Sequence, residues 1–123
     1  PGFIDTHHHQ YETALRGILA DGVLGLRKED GPRNYLTIIQ QLYTPLYTAE
    51  DALIAELVAS LSQLNAGVTT TVDTSQVQLT PEHTDACIAG LREAGQLLGQ
   101  RQRRRQGLPG GHDAVAQAHL QSL

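Results

Sequence analysis

Leu53, Ile54, Leu57, Val58, Leu61 and Leu64 recur at about two apolar residues per turn, the pattern of one face of an α-helix. Thr48-Ala49-Glu50-Asp51 precedes the stripe as an N-cap with acids in the first turn, and Asn65-Ala66-Gly67 ends it. These limits predict a helix over 49–64 that buries its large apolar stripe. Val68 to Val72 follows directly and is β-branched throughout, which predicts a buried parallel strand. Thr80 then caps a helix over 81–94, with Pro81 at its first position, Ile88 and Leu91 inward, and Gly95 as terminator.

Upstream, Phe3-Ile4 is a short apolar run that predicts a buried strand. Tyr11, Leu15, Ile18 and Leu19 recur at helical spacing, so a short helix is expected after it. Asp21-Gly22, Gly25 and Asp30-Gly31-Pro32 mark a loop. Tyr35, Leu36, Ile38, Ile39, Leu42 and Tyr43 outline one face of a second helix that must end before Pro45. The predicted order is strand, long helical crossover, strand, helix, which is how a βα barrel opens.

The pattern then breaks. A barrel requires a third buried strand soon after Gly95, but Leu97-Leu98 is the only apolar pair before Arg101, Arg103, Arg104 and Arg105. Residues 96–123 are therefore expected to form a disordered or weakly helical tail, with a possible short helix over 114–120, separate from a unit spanning 1–95. Charge changes at the same point. Residues 1–95 carry 5 basic and 12 acidic side chains, whereas 96–123 carry 4 basic and 1 acidic.

The candidate chemistry lies at the end of the first predicted strand. In Pro1-Gly2-Phe3-Ile4-Asp5-Thr6-His7-His8-His9, strand alternation sends His7 and His9 to one face and His8 to the other. Two neutral imidazoles on one face are half of a catalytic metal site. Asp5 reads as a hydrogen-bond acceptor at the strand end. Gln10 and Arg16 follow on a helix that either lines a pocket or faces solvent. Asp73 ends the second predicted strand, where it either reaches the pocket rim or starts a loop. Cys87, the single cysteine, excludes an internal disulfide and reads as a small residue half-buried on its helix.

The first nine residues resemble the opening barrel strand of the amidohydrolase superfamily, written Pro-Gly-Phe-(Ile/Val)-Asp-x-His-x-His. Gln10 to Gly17 is similar to the segment that follows in its deaminase and chlorohydrolase branch. Gly67-Val68-Thr69-Thr70 resembles the second strand, and Thr80 to Gly95 the helix after it. The resemblance covers about residues 1–95.

That resemblance implies an α/β fold, a partial TIM-like (β/α)8 barrel represented by its first two βα units. A whole barrel takes about 250 residues, so the 123 residues here are expected to be a fragment of a larger enzyme or a truncated product. The resemblance also implies His7 and His9 as ligands of one divalent metal ion, zinc or iron. The metal would activate water for hydrolysis of carbon–nitrogen bonds outside peptides, such as deamination or dechlorination of a nitrogen heterocycle. The implied partner is a small-molecule substrate, with oligomerisation possible in the full-length enzyme. The remaining ligands and the proton-shuttling base have no counterpart here, and His83, His112 and His119 are left unassigned.

Other readings are weaker. The arginine cluster could meet phosphates, but no aromatic residue accompanies it, so no nucleic-acid partner is expected. No run of 18 apolar residues occurs, so no membrane span is expected. The lone cysteine fits a reducing compartment and hence a cytoplasmic location. The principal alternative to an enzyme fragment is a catalytically inactive interaction module.

Overall fold

The computed structural model describes residues 1–102, of which the last six are described by backbone alone. The chain is mixed α/β. Three parallel strands, β1 (Phe3–His8), β2 (Val68–Ser75) and β3 (Leu97–Gln102), form one sheet in the order β1-β2-β3. Two helices, α1 (Ala49–Asn65) and α2 (Pro81–Ala94), make the crossovers. The alternation of strand and helix is that of successive βα units.

Both helices begin and end where the local chemistry directs. Thr48 and Asp51 form a reciprocal capping box: Asp51 N–H donates to Thr48 Oγ1 at 3.1 Å, and Thr48 N–H to Asp51 Oδ2 at 2.9 Å. The Thr48 hydroxyl also donates to Asp51 Oδ2 at 2.7 Å, and this bond, with that from the Thr48 N–H, holds the exposed Asp51 carboxyl below its ordinary pKa. Gly95 ends α2 in the left-handed region at φ 78°. Thr80 occupies the N-cap position of α2, but its hydroxyl bonds the His83 ring at 2.9 Å instead of a backbone N–H. The other His83 nitrogen lies 2.9 Å from the Tyr47 carbonyl oxygen, so His83 ties α2 to the crossover.

The face that α1 buries is not the expected one. Ala52, Ala55, Glu56, Ala59, Ser60 and Gln63 are buried, while Ile54, Val58 and Leu61 are 50%, 46% and 51% exposed. Both sets have helical spacing. The small residues win because α2 packs almost backbone to backbone on α1 at Gly90. A Cβ there would stand 2.6 Å from Leu53 O and 2.9 Å from Glu56 Cβ. Such proximity admits alanine and serine on the inner face but not leucine.

Phe3 and Ile4 are likewise exposed, at 71% and 67%. β1 is an edge strand, and no described element covers that face. Residues 96–102 also depart from expectation. β3 pairs with β2 from Thr70↔Leu97 to Ser75↔Gln102, so Leu97–Gln102 is a strand and not the disordered or weakly helical segment expected. The free edge of β2 supplies a complete ladder of backbone partners, and this outweighs the poor strand composition. The remainder of the predicted tail, 103–123, lies outside the described residues.

The part of the long crossover between β1 and α1 is irregular rather than α-helical. Gln10–Leu15 forms a 3-10 segment and Leu36–Tyr43 a π-helix. The first segment ends at Leu15, short of Ile18, which is 38% exposed. Tyr11 and Tyr47 meet edge to face at 5.7 Å between ring centroids, and join Ala52, Ala55, Val77 and Cys87 in the core.

Gly90→Ala is expected to lower stability by about 1–3 kcal/mol through overpacking, although alanine is the better helix former by about 1 kcal/mol. Urea denaturation checks this; an unchanged or raised midpoint would show that the helices can separate without loss.

Candidate functional site

β1 and β2 pair parallel with Asp5 opposite Thr71 and His8 opposite Asp73. Three residue steps on β1 thus span two on β2, which is a bulge. The bulge re-aims the end of the strand. It lets Asp5 Oδ2 and His8 Nδ1 meet at 3.0 Å, although regular alternation would put them on opposite faces. Asp5 Oδ1 also accepts from His7 N–H at 3.1 Å, and Gln63 of α1 donates to Asp5 Oδ2 at 3.1 Å. Asp5 is therefore the hydrogen-bond acceptor expected, and His8 is held away from His7 and His9.

His7 and His9 converge. Their Nε2 atoms stand 3.2 Å apart, with ring centroids 5.0 Å apart. His9 Nδ1 lies 2.6 Å from the Thr74 carbonyl oxygen and 2.9 Å from Gln76 Oε1. A carbonyl can only accept, so Nδ1 carries the proton. In that tautomer His9 Nε2 is the acceptor, and His7 Nε2–H donates to it at 3.2 Å. A carbonyl behind one nitrogen and an unprotonated second nitrogen is the arrangement that orients a metal-ligating imidazole.

The spacing also suits a shared ion. Two nitrogens each about 2.0–2.1 Å from zinc, at a near-tetrahedral angle, stand about 3.3 Å apart. The pair therefore fits two positions of a metal site. Among the described residues no group of three or more His, Cys, Asp or Glu side chains converges on such a point. His83 is engaged at α2, while His112 and His119 lie outside the described residues.

Behind the pair runs a buried polar seam. Ser60 Oγ donates to Gln10 Oε1 at 2.9 Å, Gln10 Nε2 to Gln96 Oε1 at 3.4 Å, and Gln96 Nε2 to Gln63 Oε1 at 2.6 Å. Gln63 completes the path to Asp5. Gln10 is thus fully buried structure, neither pocket lining nor solvated surface. Arg16 is exposed. Asp73 neither starts a loop nor reaches a rim. It is fully buried within β2 and accepts the Gln10 N–H at 3.2 Å.

Asp73, Glu56 of α1 and Cys87 of α2 share one interior site where sheet and helices meet. Burial, reinforced by the Asp73 charge, pushes the Glu56 carboxyl up to about 9. Burial also raises the Cys87 thiol, with the neighbouring Glu56 and Asp73 adding to the effect, so Cys87 is an inert core residue. Glu56 passed unnoticed in the sequence because it reads as one more polar position beside a leucine stripe. Its signal was its place, one residue after Ala55 and three before Ala59, on the small-residue face.

No protein-family model matches the chain, and no curated protein matches it either.

Glu56 sets an expected pH dependence. Its folded pKa, about 9, lies above the ordinary 4.5, so the unfolded chain loses this proton first as pH rises. The stabilising contribution is therefore complete below pH 4.5 and declines up to pH 9, with a slope of at most about 1.4 kcal/mol per pH unit. Glu56→Gln should leave stability little changed at pH 5 and raise it at pH 9. Urea midpoints of both proteins across that range decide the matter, and parallel pH profiles would contradict the assignment.

Proposed function

We propose that His7 and His9 are two ligands of a divalent metal, zinc or iron, in a hydrolase acting on carbon–nitrogen bonds outside peptides. The observation that carries this reading is the 3.2 Å approach of the two Nε2 atoms, with His9 Nδ1 committed to the Thr74 carbonyl. Imidazole nitrogen suits both metals. A metal at this pair would supply activated water for attack on an electron-poor carbon of a small-molecule substrate, such as an aminated or chlorinated nitrogen heterocycle. The chain's own part is to hold the donors. Thr74 and Gln76 orient His9, and Asp5 anchors the strand end through His8 and the His7 N–H.

The resemblance of Pro1 to His9 to the amidohydrolase strand supports the choice of reaction. Two parallel βα units, with a third strand beginning, support placing these residues at the opening of a TIM-like barrel. Such a barrel would cover the open edge of β1 and the exposed Phe3 and Ile4. The proton-shuttling base and the remaining ligands would come from other strands. A second reading, an inactive interaction module, rests on the Ile54, Val58 and Leu61 stripe, which no described element covers.

Among the described residues no helix is long and apolar enough to cross a membrane.

With two donors the full chain should take up zinc or cobalt weakly and turn over no aminated purine, pyrimidine or triazine. His7→Ala and His9→Ala should each weaken uptake by about tenfold or more, whereas His8→Ala should change it little. Equilibrium dialysis with metal analysis checks the order. Equal affinity in all three variants would sink the metal reading, and turnover abolished by a chelator would show that two donors suffice.

A further inference from the structure

The 3-10 segment Gln10–Leu15, the loop after it and the π-helix Leu36–Tyr43 border an open pocket of about 400 Å³. That volume lies in the range of small-molecule sites. Leu15, Leu19, Val23, Leu24 and Ile39 supply apolar wall. The loop is fixed in place, since Tyr35 N–H donates to Val23 O at 2.8 Å and Leu36 N–H to Leu24 O at 3.3 Å.

One acid enters this apolar wall, Glu12. Its Oε1 accepts from Tyr35 Oη at 2.5 Å and from Tyr11 Oη at 3.1 Å. Gln40 Nε2 donates to both phenol oxygens, at 2.7 and 2.6 Å, which turns their protons towards Glu12. Both phenols stay neutral donors, since burial raises Tyr11 and pushes Tyr35 up to about 12. Two O–H donors on one oxygen hold the Glu12 carboxyl in one rotamer. Oε2 has no protein donor among the described residues. A half-buried carboxylate with a fixed rotamer at the side of a largely apolar pocket suits a cationic N–H donor on an apolar body. Arg16 also lines the pocket, from its exposed side.

We infer that this pocket is a binding site for small organic cations of the aryl or alkyl amidinium and ammonium class, with the cationic end on Glu12. The site is independent of the histidine pair and of the hydrolase reading.

The test is calorimetric titration of the full chain with benzamidine, in the presence of a chelator so that metal plays no part. Benzamidine should bind at one site, and benzoate at least tenfold more weakly. Glu12→Gln should weaken benzamidine by about tenfold, the value of a hydrogen bond to a charged group. Because that change could disturb the tyrosine pair, Leu24→Trp serves as a second variant. It adds bulk to the apolar wall at a residue other than Glu12, and should weaken benzamidine by about tenfold or more with an unchanged circular dichroism spectrum. No binding of benzamidine, equal binding of benzoate, or benzamidine affinity untouched in both variants would each overturn the assignment.

Discussion

The parallel pairing of β1 with β2 is the constraint on which the other features rest. It joins residues more than sixty positions apart in the chain, and the long crossover between them must be ordered to permit it. Through it the Thr74 carbonyl reaches His9, the Asp73 carboxylate reaches the Gln10 backbone, and the bulge at Asp5–His8 acquires its partner. A one-residue slip would turn every β2 side chain to the other face and dissolve all three relations at once.

What stands between the sheet and α1 is polar. Gln10, Ser60, Gln63, Gln96 and Asp5 form a continuous hydrogen-bonded path, with Asp73 tied to Gln10 and Glu56 close by. The large aliphatic side chains of α1 lie partly or mainly outside it. Buried polar groups specify a register more sharply than leucines do, because a misplaced partner leaves a desolvated donor or acceptor behind. The Glu56 carboxyl is the exception, retained as a neutral acid where an amide or an apolar group would serve stability better. Ile54, Val58 and Leu61 lie on the opposite face of α1, which no described element covers.

Much of this was legible in the sequence. Caps and terminators are local chemistry, so Thr48 with Asp51, Pro81 and Gly95 set the helix limits correctly. The run Val68–Val72 carried its own strand propensity, although β2 continues to Ser75. The pairing of His7 with His9 was expected from strand alternation, but β1 ends at His8, and the Thr74 and Gln76 contacts are what set the His9 ring beside His7. Facing was not legible. Two stripes on α1 share the helical period, and only the close approach at Gly90 decides which one is covered. β3 was missed because its pairing is set by the free edge of β2 and not by the composition of residues 97–102. The polar seam was invisible because each glutamine, taken alone, reads as surface.

The central claim is that a cross-strand carbonyl holds His9 with Nε2 unprotonated towards His7. Long-range proton–nitrogen correlation spectra of the histidine rings in the full chain measure this directly. The account predicts a single His9 tautomer at neutral pH, protonated at Nδ1 and unprotonated at Nε2, with the Nδ1 proton protected from exchange. A His9 ring protonated at Nε2, or one averaging rapidly between tautomers, would contradict it.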